Sequence, residues 1–337
     1  MEDSTDQDVH RGYEFEEGMF ARIRSWVDVA PWIRLGRAMR LLSSPPSFVA
    51  VLLVIVLWNL AGFATPLPLR LADVFAVTQR PFSVVSLFEP RHWTEFAKAI
   101  AVIVVGIPCF QFVARSGVVL CAGHPPPPVR QTIQMVRERM ISSLVLPLIP
   151  MGCLAVFVLL AWIARVPGAM AESPAWDALV GVGLAIACLP VGILGFGACF
   201  AIPMALVAMV AEPDPDPIDS LSRGYEYLYR RPLQLTFYLG IGLVLVLVSQ
   251  WIAEGVCETV RFAADQLSEN QVERAGAEFA TERFLEAWVS TLTIGIIGGI
   301  YLLLRYNAGG QEVEDIYLPP ATSDVSLPEL PDDAYDS

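Results

Sequence analysis

Six long stretches without Asp, Glu, Lys or Arg constrain the fold of this chain more than any other feature of its sequence. They cover residues 48–64, 99–114, 141–164, 178–211, 232–253 and 287–304. Each is long enough, or nearly so, to cross about 30 Å of hydrocarbon as a helix. The composition agrees, because 55% of the residues are hydrophobic and only 17% are charged. The sequence therefore predicts an all-α membrane protein, a bundle of about six transmembrane helices with cytoplasmic interfacial amphipathic helices.

The domain boundaries follow from these stretches and from the charge distribution. Residues 18–305 form the predicted membrane domain, with spans at about 48–64, 97–118, 141–164, 178–211, 232–253 and 286–305. Residues 1–17 are acidic and polar, and residues 306–337 hold eight acidic residues and no Lys or Arg. Because neither end carries an apolar helical stripe, we predict that both are disordered acidic tails.

The distribution of Arg and Lys predicts the orientation. With six spans and the N-terminus inside, the inner segments hold 14 of these residues and the outer segments hold 8, and the richer side is expected to be cytoplasmic. This topology also places an aromatic belt near the outer ends of the spans, formed by Trp58, Trp93, Trp162, Trp176, Trp251 and Trp288. We therefore expect a multi-pass protein of the cytoplasmic (inner) membrane with both termini in the cytoplasm.

The fourth stretch leaves two alternatives open. Its 34 uncharged residues would reach roughly 50 Å as one helix, well beyond the hydrocarbon thickness. It is either one tilted helix with kinks at Pro190 and Pro203, which we favour, or a hairpin that turns near residues 192–195. Its small residues favour close packing at the bundle centre, and they include Gly181, Gly183, Ala185, Gly192, Gly195, Gly197 and Ala201. Gly295 and Gly299 form a second helix-packing pair in the last span.

Two segments match at an offset of 88 residues, namely 125–147 and 213–235. In each, a Pro-rich turn leads to a short amphipathic helix that runs into a span, and residues 18–47 look like a looser third copy. The match reflects either a true internal duplication or a convergent pattern.

The short amphipathic segments carry the candidate contact residues. In residues 32–42, apolar side chains share one helical face and the opposite side is basic, which is typical of a helix lying in the inner interface against anionic headgroups. Residues 219–230 carry one narrow polar stripe, and Asp219 is expected to cap that helix. We predict lipid or partner contacts at Arg34, Arg37, Arg40, Asp219, Arg223, Glu226 and Arg230. A solvated charged face is the simpler alternative for the stripe, and Glu138 is the expected partner of Arg223 should the stripe be buried.

The sequence contains none of four common enzyme motifs. It lacks H-E-x-x-H, G-x-S-x-G, Walker and dinucleotide-binding motifs, and its three histidines have no ligand partners at helical spacing. We therefore predict no enzymatic activity, no cofactor and no metal. A net charge of −13 without a polybasic block argues against nucleic-acid binding. The candidates for an intramembrane polar site are Gln111, Arg115, Gln250 and Glu254. Arg115 is expected to extend to the cytoplasmic interface, with buried anion binding as the alternative.

Three phrases resemble uncharacterised six-span integral membrane proteins of planctomycete-type bacteria. They are residues 29–38, residues 136–141 leading to 147–150, and residues 219–227 leading to 231–233. The resemblance covers residues 25–305 and departs at His124, which four prolines follow. Because that family has no assigned activity, the resemblance implies an architecture and no chemistry.

Two functions stay open at this point. The first is a non-enzymatic integral membrane protein of the cell envelope that organises lipid, or that binds a protein partner through its interfacial helices or an acidic tail. The second is a secondary transporter or permease for a small or lipid-like substrate, favoured by the repeat and by the spans that Pro and Gly interrupt. A transporter would gather polar groups at the membrane midplane. Because the sequence offers few of these, we rank it second.

Overall fold

The computed structural model describes residues 30–60, 93–165, 174–309 and 313–318, and every regular element among them is helical. The predicted tail 1–17 lies outside these residues. A 3-10 helix, Pro31–Ser43, comes first. The α-helices that follow are α1 (Pro45–Leu60), α2 (Trp93–Ala122), α3 (Val129–Val145), α4 (Leu148–Arg165), α5 (Pro174–Ala211), α6 (Pro217–Arg230), α7 (Pro232–Leu267) and α8 (Gln271–Gly309). The expected all-α fold is confirmed for the described part of the chain.

Five helical segments of the described chain are long and apolar enough to cross a membrane. They are Ile103–Ala122, Val129–Ile163, Trp176–Ala211, Pro232–Leu267 and Gln271–Ala308. A sixth is obtained if the 3-10 helix and α1 are counted as one span bent by 76°. The bend falls at Ser44, whose φ of −97° and ψ of 99° are extended because a following proline disfavours the helical region. The expectation of about six apolar helices is confirmed at this level.

The fourth predicted span is one helix, as favoured from the sequence. α5 continues through both Pro190 and Pro203, so the hairpin alternative is wrong. The glycines in its first half are not at the bundle centre, however, because nothing lies within 4 Å of the position that a Cβ would occupy at Gly181, Gly183 or Gly192. Gly197 does pack closely, against the Tyr225 ring of α6. Only the second half of α5 packs closely, where a Cβ on Gly224 of α6 would lie 2.6 Å from the Ala201 carbonyl oxygen.

Three helices, α2, α5 and α8, contact one another at the centre of the bundle. Glycines permit the closest approach, because a Cβ on Gly117 of α2 would lie 2.6 Å from the Gly295 Cα of α8. The predicted packing role of Gly295 and Gly299 is also confirmed. The 3-10 helix places Leu41 beside Gly295 and Leu35 beside Gly299, each 2.7 Å from where a Cβ would be. The centre is therefore held by close backbone packing of small residues.

The elements recur in the same order three times. Each unit has a short helix, a proline-marked break and two longer helices: the 3-10 helix with α1 and α2, then α3 with α4 and α5, then α6 with α7 and α8. The breaks fall at Pro45, Pro147 and Pro232, since proline cannot supply the amide that would continue the helix. The second helix of each unit packs against the third. The internal duplication stays a prediction, although its two best-matching segments adopt the same arrangement.

The structure bears on two predicted segments. The predicted third span, 141–164, crosses the junction of α3 and α4 at Leu146 and Pro147 and overlaps the apolar segment Val129–Ile163, so its start stays a prediction. The predicted C-terminal tail, 306–337, is partly ordered. Residues 306–309 continue α8, and residues 313–318 pack against the bundle. The apolar Val313 and Ile316, spaced by three residues, explain why an otherwise acidic segment is held there.

Candidate functional site at the arginine-rich end of the bundle

Residues 313–318, here called the C-terminal strap, lie across the end of the bundle where α2 and α5 finish. Val313 and Ile316 are buried in the main core. The Tyr317 amide donates to the Ala211 carbonyl at 3.1 Å, at the last residue of α5. The strap therefore closes the end of the helix bundle with apolar side chains and with a backbone hydrogen bond.

Four arginines from four different elements hold the strap in place. We call Arg34, Arg115, Arg139 and Arg305 the arginine cluster. Arg34 of the 3-10 helix pairs with Glu314 at 2.5 Å. Arg115 of α2 donates to the Tyr317 carbonyl, and Arg305 of α8 donates to the Asp315 carbonyl. The guanidinium of Arg139 from α3 stacks over the Tyr317 ring at 5.4 Å. Together they join the strap to elements from all three units.

The same arginines also satisfy the C-terminal end of α5. Arg139 donates to the carbonyls of Met209 at 2.5 Å, Glu212 at 2.8 Å and Pro213 at 2.7 Å. Arg115 donates to the Val210 carbonyl at 2.9 Å. The last carbonyls of a helix have no partner within the helix and carry its negative dipole end, so cations are favourable there. The cluster thus neutralises this end of α5 and fixes its position.

Arg115 is buried in the protein, whereas an arginine that extends to an interface was expected to be exposed. Its side chain is only 1% exposed, and its donors are taken up by the carbonyls of Val210 and Tyr317. The expectation from the sequence was wrong because the strap that covers Arg115 follows almost 200 residues later in the chain. The alternative of buried anion binding is not what the contacts show either, since backbone oxygens occupy the guanidinium.

Glu212 is the principal acidic group at this end of the bundle. It directly follows α5, and one of its carboxylate oxygens accepts from Arg223 Nη1 at 2.6 Å and from the Tyr301 hydroxyl of α8. Arg223 also pairs with Asp219 at 2.6 Å. Burial lowers the pKa of Arg223, but the carboxylates of Glu212 and Asp219 outweigh burial, and the net pKa is raised. Glu212 therefore links α5, α6 and α8 through one carboxylate.

The predicted polar stripe on α6 is divided into two pairs. Arg223 turns towards Glu212, whereas Arg230 pairs with Glu226 at 2.8 Å on the exposed side. The predicted pairing of Arg223 with Glu138 is wrong, because Glu138 accepts a hydrogen bond from Gln134 of its own helix at 3.0 Å. The helix cap is also not Asp219. Asp216 accepts from the Asp219 amide at 3.0 Å, since Pro217 fixes the first turn and places the cap one residue before it.

The basic side of residues 32–42 is divided in a similar way. In a 3-10 helix, residues three apart share a face, so Arg34, Arg37 and Arg40 form one row and the buried Leu35, Ala38 and Leu41 form the next. Arg34 is buried beside Glu314, Arg37 approaches the Cys121 carbonyl at 3.5 Å, and Arg40 is exposed. The apolar face packs on α2 and α8. Arg34 is thus taken up inside the protein, and lipid contact stays a prediction for Arg37 and Arg40.

The structure does not join the predicted intramembrane polar residues into one site. Gln111 of α2 donates to the Ser143 hydroxyl of α3 at 2.6 Å. Gln250 donates to Glu254 at 2.8 Å within α7. No hydrogen bond connects these pairs with each other or with Arg115 among the described residues. In the same part of the chain, no group of three or more His, Cys, Asp or Glu is placed to hold a metal ion.

Several residues of this end were missed from the sequence. They are Arg139, Glu212, Tyr301, Arg305 and Glu314. Tyr301 lies within the last apolar stretch, and the four charged residues lie outside these stretches. Glu212 had a recognisable feature, since it is the acid that directly follows the longest uncharged stretch and precedes a proline. Comparison with family models, curated proteins and solved structures gives no match for this chain.

Proposed function

We propose that this chain is a non-enzymatic integral membrane protein of the cell envelope that organises lipid or a protein partner within the bilayer. It would lie in the cytoplasmic membrane with the arginine-rich end on the cytoplasmic side. The positive-inside rule supports this orientation, because the arginine cluster and Arg223 gather at one end. The opposite end is the long polar hairpin of α7 and α8, which turns at residues 268–270.

One observation carries the proposal, namely the apolar arm formed by α4 and residues 176–196 of α5. Its large apolar side chains are exposed around several sides of α4 and along one face of α5, and they include Val156, Leu160, Trp162, Leu179, Ile186 and Phe196. A helix that is apolar on all sides requires a lipid or protein environment. The arm is therefore the surface with which this chain would contact lipid tails or an apolar partner.

Site-specific photo-crosslinking tests this proposal. A photoreactive amino acid is placed at Val182 or Ile186 on the apolar arm, and at Glu273 on the polar hairpin as the matched control, in cells that express the full chain. We expect adducts with lipid or with a membrane protein from the arm positions and none from the hairpin. Adducts from all three positions alike, or recovery of the chain from the soluble fraction, would contradict the proposal.

Orientation is tested separately by single-cysteine labelling in a cysteine-free variant. Glu269→Cys on the hairpin should react with an impermeant maleimide added to intact cells, and Asp214→Cys beside α5 should react only after permeabilisation. Thr5→Cys and Leu330→Cys test the two termini in the same way and should behave like Asp214→Cys. The reverse pattern would invert the proposed topology while leaving the membrane assignment intact.

Transport remains the second proposal, because the three-unit arrangement and the prolines inside α2 and α5 are features that transporters share. Polar residues that are bonded in separate pairs, as Gln111 and Gln250 are, do not favour it. Solute flux in proteoliposomes, abolished when Gln111→Leu is introduced, would place transport first.

A further inference from the structure

An apolar groove lies between α1, α2, α5 and α8, away from the arginine-rich end. It has a volume of about 430 Å³, and its lining includes Val51 and Trp58 of α1, Gly106 of α2, Leu206 of α5, and Ser290 and Ile297 of α8. This volume is within the range of about 300–1,000 Å³ that is typical of ligand sites. A Cβ at Gly106 would meet nothing within 4 Å, so the groove is open beside α2.

A single polar atom in the groove lacks a partner. Ser290 is only 2% exposed, and its hydroxyl has no hydrogen bond among the described residues. Nearby hydroxyls on α8 behave differently, because Thr291 donates to the Ala287 carbonyl at 2.7 Å and Thr293 to the Val289 carbonyl at 2.8 Å. A buried hydroxyl without a partner is unfavourable. Ser290 is therefore positioned to donate to an acceptor that occupies the groove.

Polar residues that do not themselves line the groove lie next to its Ser290 end, and its other end is apolar. Glu286 lies one turn before Ser290, and it accepts from Arg283 at 2.6 Å, while Arg283 also donates to Asn59 of α1 at 3.4 Å. Trp58 adjoins Asn59 at the same end. In the other direction the lining continues to Ile294, Ile297 and Leu206, which are apolar. This order, from charged groups through one hydroxyl to hydrocarbon, follows the order of groups along a phospholipid.

We propose that this groove binds one acyl chain of a membrane phospholipid, with the ester carbonyl accepting a hydrogen bond from the Ser290 hydroxyl. The proposal rests on the membrane location proposed above. A partner helix is a poorer occupant, because a transmembrane helix satisfies its own backbone carbonyls and would leave the Ser290 hydroxyl without an acceptor. The bound chain would be held between α1 and α8, and would fill the space that the small residue Gly106 leaves open.

Depth-resolved photolabelling of the full-length protein tests this assignment. The protein is reconstituted in vesicles of phosphatidylethanolamine and phosphatidylglycerol that contain traces of two phosphatidylglycerol probes. One probe carries its diazirine next to the ester, and the other carries it at the end of the acyl chain. We expect the first to label the peptides around Trp58 and Ser290, and the second to label those around Ile297 and Leu206. Labelling of these sites no stronger than that of α4, or labelling in the reverse order, would overturn the proposal.

Two pairs of variants test the roles of individual residues. Ser290→Ala should lower labelling by the ester-proximal probe about five-fold, the ratio expected for the loss of one hydrogen bond. Thr293→Val should leave it unchanged, because that hydroxyl is already bonded within α8. Gly106→Phe should fill the groove and abolish labelling by both probes. Gly192→Phe is its control, because Gly192 also has open space around it but does not line the groove.

The outcomes separate failure of this proposal from failure of the proposed membrane location. Each sample is first floated on a density gradient. Protein that does not float with the vesicles contradicts the membrane location itself. Protein that floats but whose labelling is insensitive to Ser290→Ala contradicts only the lipid site. If size-exclusion chromatography shows that Gly106→Phe is misfolded, the comparison of Ser290→Ala with Thr293→Val decides. A free fatty acid probe that labels the groove when neither phospholipid probe does would also overturn the assignment.

Discussion

The pair formed by Arg223 and Glu212 should contribute measurably to stability, whereas the other ion pair on α6 should not. Arg223 is 36% exposed and Glu212 is 13% exposed, with 2.6 Å between their nitrogen and oxygen atoms. Arg230 and Glu226 are 77% and 43% exposed at a similar distance of 2.8 Å. Both pairs involve an arginine of the same helix, so the second is a matched control for the first.

The expected coupling energies follow from these exposures. Exposed ion pairs contribute about 0–1 kcal/mol, and pairs between i and i+4 in a helix contribute about 0.3–0.5 kcal/mol. Removal of one partner from a fully buried pair costs about 3–5 kcal/mol. Because Glu212 is largely buried and Arg223 is only partly so, we expect a coupling of about 1–2 kcal/mol for that pair, after allowance for solvent screening. For Arg230 and Glu226 we expect less than about 0.5 kcal/mol.

A double-mutant cycle measures each coupling directly. Glu212→Gln, Arg223→Gln and the double variant are unfolded in mixed micelles by increasing the fraction of denaturing detergent, alongside the corresponding variants of Glu226 and Arg230. The reasoning is refuted if the two cycles give the same coupling energy. It is also refuted if Arg223 couples to Glu138, the partner expected from the sequence, rather than to Glu212.

Three further predictions test the strap, the glycine contacts and a buried tyrosine. A chain that ends at Leu318 should unfold like the full chain, but one that ends at Gly309 should lose at least about 3 kcal/mol of unfolding free energy in the same detergent assay, because burial of Val313 and Ile316 contributes about 1.5–3 kcal/mol each. Equal stability of the two shortened chains would contradict the role of the strap. Gly117→Ala should lower the free energy of unfolding by about 1–3 kcal/mol or more, because its Cβ would overlap Gly295. Gly181→Ala, where the space is open, should raise it by up to about 1 kcal/mol. The reverse order of melting temperatures would show that α2 and α8 do not touch at Gly117. Burial raises the pKa of Tyr227 from 10.0 to about 12, so its contribution to stability should be complete below pH 10 and be lost as the pH rises towards 12. Tyr227→Phe should make stability fall less steeply at alkaline pH. A pH profile that this variant leaves unchanged would contradict the burial of Tyr227.

Much of the fold could be predicted from composition and spacing, because helices that cross a membrane need local runs of apolar residues. The prediction of about six such helices and the continuity of α5 depended only on the lengths of these runs. The paired small residues Gly295 and Gly299 were also recognisable, since their spacing of four places them on one helix face. These features are local, and local sequence specifies them.

The arginine-rich end could not be predicted in the same way. Arg115 resembles an arginine at the end of a span, and only the strap from the far end of the chain buries it. The partner of Arg223 was sought on the equivalent helix because the repeat suggested symmetry, yet the acid that Arg223 pairs with outside its own helix is Glu212. Charged side chains are long and flexible, so a pattern of charges leaves their partners undetermined until the backbone is in place.

The sequence by itself therefore determined the approximate number and length of the apolar helices, and some of the small residues that allow close packing. Only the tertiary structure decided which glycines meet another helix, which arginine is buried and which hydroxyl is left without a partner in the groove. The physical reason is that burial of hydrocarbon depends on runs of neighbouring residues. Pairing of polar groups depends instead on atoms that are distant in the chain, and the folded bundle alone brings Arg115 to Tyr317 and Glu212 to Tyr301.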